Sequence, residues 1–210
     1  MSSMDTRQQT TIIRSIAWLL TITVVGVAIA AWGQGLKWHV TGLSPYQIFP
    51  VFGLLAFSLM WTHYIVGTIR AYFNLPEVKA YFEATSALVL AALLAHPGLL
   101  VWQLWRDGFG LPPQSYLDHY VAPALGWVAL LGTVSLFVFL AFELRRWYHE
   151  RSWWKYILAA NDLAMVAIFY HGLRLGSNLQ VGWLPWIWYL YGVTLAGALL
   201  YKYRRAFGVK

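Results

Sequence analysis

The sequence predicts an all-α integral membrane protein: a six-helix bundle with its N- and C-termini in the cytoplasm. Of its 210 residues, 60% are hydrophobic and 11% are charged, and the mean hydropathy is +0.55. A soluble domain carries about 25% charged residues, so this chain has too few polar side chains to cover a globule. It contains no cysteine, which excludes disulfides, thiolate metal sites and covalent c-type haem attachment.

Six apolar segments are long enough to cross a bilayer, which takes roughly 20 residues of helix. Short connections rich in Gly, Pro, Ser and Asn separate them. None of these connections can fold alone, so we expect residues 1–210 to form one domain. The basic and then apolar N-terminus lacks a convincing cleavage site, so we expect it to be retained as the first helix. The predicted helices are about Thr11–Trp32, Tyr46–Phe73, Glu83–Trp105, Tyr120–Trp147, Trp154–Gly176 and Leu184–Tyr203.

The distribution of basic residues predicts the orientation. With the N-terminus inside, 12 of the 15 Lys and Arg residues fall on the cytoplasmic side, and only Lys37, Arg106 and Arg174 fall outside. Cytoplasmic loops carry such an excess of positive charge. We therefore expect a multi-pass protein of the plasma membrane, whose net charge of +7 faces anionic lipid and not nucleic acid.

Three of the six histidines, His63, His96 and His171, fall within predicted spans. Ionisable residues there are rare and are functional candidates by default. A rise of about 1.5 Å per residue places His96 just past the midplane and His171 in the outer half of the bilayer. His63 falls in the inner half, where we expect it to hydrogen-bond between helices.

The outer histidine pair could hold a metal or could simply hydrogen-bond within the bundle. A zinc site needs a third or fourth ligand nearby, and the sequence offers no such cluster. Haem b needs only two axial imidazoles and an apolar pocket, which His96 and His171 would supply. Arg174 follows His171 by one turn, near the outer interface, where a haem propionate would emerge.

Three stretches carry a resemblance to a known family: FGLLAFSLMWTHYIVGTIR in the second span, LLAHPGLLVWQLW in the third and WKYILAANDLAMVAIFYHGLRLG in the fifth. With the six-span layout, the chain resembles the ferric reductase-like transmembrane domain family. This family includes the membrane cores of ferric reductases and NADPH oxidases and the haem subunit of the methionine sulfoxide reductase system. The resemblance implies that the third and fifth helices ligate haem through His96 and His171.

The resemblance also implies how many haems are bound and with what the protein exchanges electrons. Members with two stacked haems carry a second histidine about four turns earlier on each helix. The corresponding places here, around Phe82–Glu83 and Leu158, have none, so one haem b per chain is implied. The protein would then be the membrane subunit of an oxidoreductase. It would work with a separate donor, such as a quinol or the flavin of a partner, and an extracytoplasmic acceptor.

Asn161 and Asp162 fall in the inner half of the fifth helix. They would form either a quinone or proton site beneath the haem, or an interhelical pair with Thr62, His63 or Arg70. An alternative function remains open: a haem-free transporter, channel or assembly factor with a polar path through His63, Asp162 and His171. A haem-based gas sensor would need an open axial position on the iron. The pairing of His96 with His171 argues against a sensor, because it would fill both axial positions.

Overall fold

The computed structural model describes residues 6–180 and 182–208, which contain helices and no strand. Six of the helices are long and apolar enough to cross a membrane, which confirms the predicted all-α class and the predicted number of helices of membrane-spanning length. Two further helices, α4 and α6, are short. The helices are α1 (Thr6–Gly35), α2 (Pro45–Phe73), α3 (Lys79–Arg106), α4 (Gln114–His119), α5 (Gly126–Phe142), α6 (Arg145–Tyr148), α7 (Trp154–Leu175) and α8 (Leu184–Ala206).

The first helix is longer than predicted because polar residues extend it. The hydroxyl groups of Thr10 and Thr11 donate hydrogen bonds to the carbonyls of Thr6 and Arg7, at 2.9 and 3.0 Å. Threonine hydroxyls inside a helix commonly bond to the carbonyl four residues earlier in this way, so this polar stretch is helical although it is not apolar. Hydropathy marks where a helix is buried in lipid, and α1 continues past that point.

The fourth predicted helix, 120–147, was too long at both ends. The spanning helix begins at Pro123, in a short 3₁₀ turn that leads into α5. Proline has no backbone N–H to donate and suits the first turn of a helix, where that N–H would have no partner within the helix. At the other end the backbone tightens, since Glu143 and Leu144 donate to carbonyls three residues back. The chain then restarts as α6, outside the apolar span.

Helix α2 is the centre of the bundle, and it packs against α1, α3 and α8. Its aromatic rings stack on those of α8: Phe57 on Trp188 at 4.2 Å and Trp61 on Tyr191 at 4.4 Å between centroids. Such stacked pairs add to the energy of apolar burial.

Two antiparallel pairs, α2–α3 and α5–α7, make the most extensive contacts in the molecule. We call them the first and the second hairpin. Among the described residues, neither α5 nor α7 is a close neighbour of α3. The first residues of α1, α3 and α7 lie on one side of the bundle with the last residues of α2, α5 and α8; we call this the termini side, and the opposite one the far side.

Candidate functional site

His96 lies on α3 with its ring against the first hairpin's other helix, α2. Its Nδ1 is 3.0 Å from the carbonyl oxygen of Phe49, and the two rings lie 5.2 Å apart. Because a carbonyl oxygen only accepts, Nδ1 carries the hydrogen and donates it. The neutral imidazole therefore keeps its lone pair on Nε2, which bonds to none of the described residues.

His171 repeats this arrangement in the second hairpin. It lies on α7, and its Nδ1 donates to the carbonyl oxygen of Val128 on α5 at 2.9 Å. Its Nε2 also has no hydrogen-bond partner in the part of the chain that the structure describes. Both rings are half-buried. Each is held by a hydrogen bond through Nδ1, and the lone pair of its Nε2 is available to ligate a metal.

The two histidines also have matching positions when counted from the starts of their helices. Each comes seventeen residues after the first residue of its helix, Lys79 for His96 and Trp154 for His171. Each hairpin thus holds one imidazole against its own partner helix, α2 for His96 and α5 for His171.

The chemistry of these donors fits haem iron. An imidazole that ligates a metal through Nε2 almost always donates its Nδ1–H to a carbonyl or carboxylate, which fixes the tautomer and makes Nε2 more basic. His96 and His171 both meet this condition. Residues 6–180 and 182–208 contain no group of three or more His, Cys, Asp or Glu that could hold a bare metal ion.

Arg174 lies in the last turn of α7, three residues beyond His171 toward the far side. Its side chain is exposed, and none of the described residues forms a hydrogen bond or ion pair with it. This guanidinium is therefore free to pair with an anion near the far-side interface.

Asp162 is a buried carboxylate in the termini half with several hydrogen-bond donors around it. It is 3% exposed and accepts three hydrogen bonds. Tyr64 of α2 donates one at 2.8 Å, and Lys202 and Tyr203 of α8 donate the other two at 2.6 and 2.8 Å. The neighbouring Asn161 donates to the Tyr64 hydroxyl at 3.1 Å. The network joins three spanning helices around one buried carboxylate.

An interhelical pair at Asp162 was one of two expectations, but the suggested partners were wrong. Thr62 bonds to Leu59 and Tyr81, His63 to Thr85, and Arg70 to the carbonyl of Pro76. Lys202 reaches Asp162 because its long, flexible side chain carries the ammonium to the buried carboxylate, at 2.6 Å. From its place in the sequence, Lys202 was expected only to be a cytoplasmic cation, and nothing there indicated this contact.

The prediction that His63 bonds between helices is confirmed. Its Nε2 lies 2.6 Å from the hydroxyl oxygen of Thr85 on α3, and that hydroxyl donates to the carbonyl of Tyr81 at 2.7 Å. Since the hydroxyl's one hydrogen goes to the carbonyl, His63 donates through Nε2. It commits the nitrogen that His96 and His171 leave free.

A cavity of about 530 Å³ opens between α2, α3, α5, α7 and α8 in the termini half. This volume is in the range of small-molecule sites. Its deeper wall is apolar, while charged groups line it toward the helix ends. The residues that characterise it are Met60, Val89 and Met165 in the apolar wall, His63, Asn161 and Asp162 among the buried polar groups, and Glu143, Arg145, Lys202 and Arg205 near the mouth.

Comparison with known proteins adds no relative: no family model, curated protein or solved structure matches this chain.

Proposed function

We propose that this protein binds one haem b between α3 and α7, through His96 and His171, and transfers electrons as the membrane subunit of an oxidoreductase. One observation carries the proposal: both imidazoles donate Nδ1–H to a backbone carbonyl, and the lone pair of each Nε2 is left free to ligate a metal. The resemblance to the ferric reductase-like transmembrane domain family, on the same two helices, supports it.

The chain's own groups would bind and orient the cofactor. The carbonyls of Phe49 and Val128 fix the two ring tautomers, and the surrounding apolar side chains exclude water. Arg174 would pair with a propionate. Haem b held by two imidazoles supplies one-electron transfer without an open iron position. The two Nε2 atoms come from different hairpins, so the cofactor would also link the first hairpin to the second.

The donor and acceptor follow from the proposed orientation. From the count of Lys and Arg, we propose that the protein lies in the plasma membrane with both termini in the cytoplasm. In this orientation the haem would lie toward the outer surface. A quinol entering the 530 Å³ cavity, or a flavoprotein docking over its mouth, would donate electrons from the termini side. An extracytoplasmic protein would accept them.

The proposal is tested by purifying the chain from haem-replete cells and measuring its haem content and its reduced-minus-oxidised spectrum. We expect about one b-type haem per chain, in the low-spin state in both oxidation states. Protein that is folded and free of haem would reject the proposal, and two haems per chain would reject the single site.

The alternative is a haem-free membrane protein with a polar path through His63, Asp162 and His171. The cavity favours it, because His63 and Asp162 both line that space. His171 does not line it, so the path would need a connection to the far half. A purified protein without a Soret band that moves a solute or proton across liposomes, and loses this in Asp162→Ala, would establish the alternative.

A further inference from the structure

Both imidazoles of the proposed haem site lie against a glycine of the partner helix in the same hairpin. A Cβ atom added at Gly53 of α2 would lie 2.7 Å from Cε1 and 2.8 Å from Nδ1 of His96. A Cβ added at Gly132 of α5 would lie 2.6 Å from the same two atoms of His171. Separations under 3.0 Å are not compatible with non-bonded carbon contacts, so either methyl group would displace a ring.

The two contacts have the same register. The glycine comes four residues after the residue whose carbonyl accepts the imidazole Nδ1–H: Gly53 after Phe49, and Gly132 after Val128. One helical turn on each partner helix thus supplies both an acceptor and an open space. The ring fits this space, and its Nδ1 reaches the carbonyl only because no side chain fills it.

We propose that Gly53 and Gly132 are positioning residues, which set the place and orientation of the His96 and His171 rings for ligation through Nε2. This inference rests on the proposed function. It means that two glycines on α2 and α5 determine where the imidazole rings lie, although the ligands themselves are on α3 and α7.

Other glycines of the same bundle provide matched controls. A Cβ at Gly67, also on α2, would meet nothing within 4 Å. A Cβ at Gly192 on α8 would lie 2.5 Å from Cζ of Phe169, a clash of similar severity that involves no histidine. Gly67→Ala therefore controls for the loss of a helix glycine, and Gly192→Ala for a steric clash between helices.

The test compares haem affinity, iron spin state and thermal stability in Gly53→Ala, Gly132→Ala, Gly67→Ala and Gly192→Ala. Changes to the groups that support a metal ligand cost about 10–100-fold in affinity, and we expect this loss, with a high-spin fraction, in the first two variants. Gly67→Ala should match the wild type. Gly192→Ala should lower the melting temperature and keep a low-spin iron. Wild-type affinity and spin state in Gly53→Ala and Gly132→Ala would overturn the inference.

A second measurement does not depend on haem binding or on the variants folding. In ¹⁵N-histidine-labelled wild-type protein, either ferrous or haem-free, we expect NMR to show the Nδ1–H tautomer for both rings. It should also show through-space contacts from the Gly53 and Gly132 α-protons to the Cε1 protons of His96 and His171. If these are found in protein that never binds haem, the proposed function fails and the positioning stands. If they are absent, the positioning is wrong.

Discussion

The far half and the termini half of this bundle treat their buried histidines in opposite ways. In the far half, His96 and His171 donate Nδ1–H to backbone carbonyls and keep Nε2 uncommitted. In the termini half, His63 commits Nε2 to the hydroxyl of Thr85. An Nε2 that already donates a hydrogen has no lone pair for a metal.

The same contrast extends to the other polar groups. Asp162 uses both carboxylate oxygens for donors on α2 and α8, so this buried carboxylate is satisfied by the protein itself. Buried polar groups stabilise a protein when they are paired and are costly when they are not. In the proposed account, the Nε2 atoms of His96 and His171 serve a cofactor, while the Asp162 network and the His63–Thr85 bond hold helices together.

The largest predicted effect separates the three histidines. His96→Ala and His171→Ala should each abolish stoichiometric haem binding, because each removes one of the two iron ligands. His63→Ala should keep the haem, because its ring is used for a bond between helices. Haem per chain, measured by pyridine haemochrome, checks this. A haem lost only in His63→Ala would reverse the roles of the two halves.

The next effect concerns the carboxylate network. Asp162→Ala leaves the Lys202 amine and two tyrosine hydroxyls without their acceptor, and we expect a loss of about 1–3 kcal/mol in the free energy of unfolding with haem content retained. Unfolding in detergent measures it. Glu83→Ala is the control, since its ion pair with Lys79 spans 3.7 Å and both side chains are largely exposed; that variant should be unchanged. Haem loss in Asp162→Ala would make the network part of the site.

A smaller effect is expected at Arg174. A positive charge roughly 10 Å from the iron contributes roughly 0.4–1.7 kcal/mol at effective dielectric constants of 80 to 20, which corresponds to roughly 20–70 mV. Arg174→Gln should lower the midpoint potential by this amount, because the positive charge favours the reduced state. Arg106→Gln, at the far end of α3, should shift the potential less. Equal shifts in a redox titration would show that Arg174 has no special place.

The smallest effect is expected at the His63–Thr85 bond. Hydrogen bonds between membrane helices average about 0.6 kcal/mol, so Thr85→Val should reduce stability by about that amount and leave the haem spectrum unchanged. Thr23→Val is the matched control, because the Thr23 hydroxyl bonds only to Leu19 of its own helix. A Thr85→Val variant without bound haem would place His63 in the cofactor site after all.

The fold was predictable because lipid imposes a simple rule: apolar stretches of sufficient length become helices. Helix rise alone also predicted that His96 and His171 lie beyond the midplane, and their depth in the bilayer stays a prediction. The ends of α5 were missed, because the 3₁₀ turn at Pro123 and the tightened backbone at Glu143 are local geometry within an apolar run.

The supporting groups of the site could not be predicted, because two of them are backbone carbonyls and two are glycines. Every residue has a backbone carbonyl, so the residue types at Phe49 and Val128 do not indicate that these carbonyls accept hydrogen bonds from the imidazoles. The helical register of α2 against α3, and of α5 against α7, decides which glycine lies against which ring. Lys202 was missed for a similar reason, since its charge suggested the membrane surface while its amine reaches back to Asp162.

The most direct test of the account counts the histidine nitrogens on the iron. Oxidised protein containing ¹⁵N-labelled histidine can be studied by pulsed electron paramagnetic resonance, which detects nitrogens directly bound to low-spin ferric iron. The account predicts two imidazole nitrogens in the wild type, from His96 and His171. One coordinated imidazole, or none, in a haem-loaded protein would contradict the claim that the two hairpins share a single cofactor.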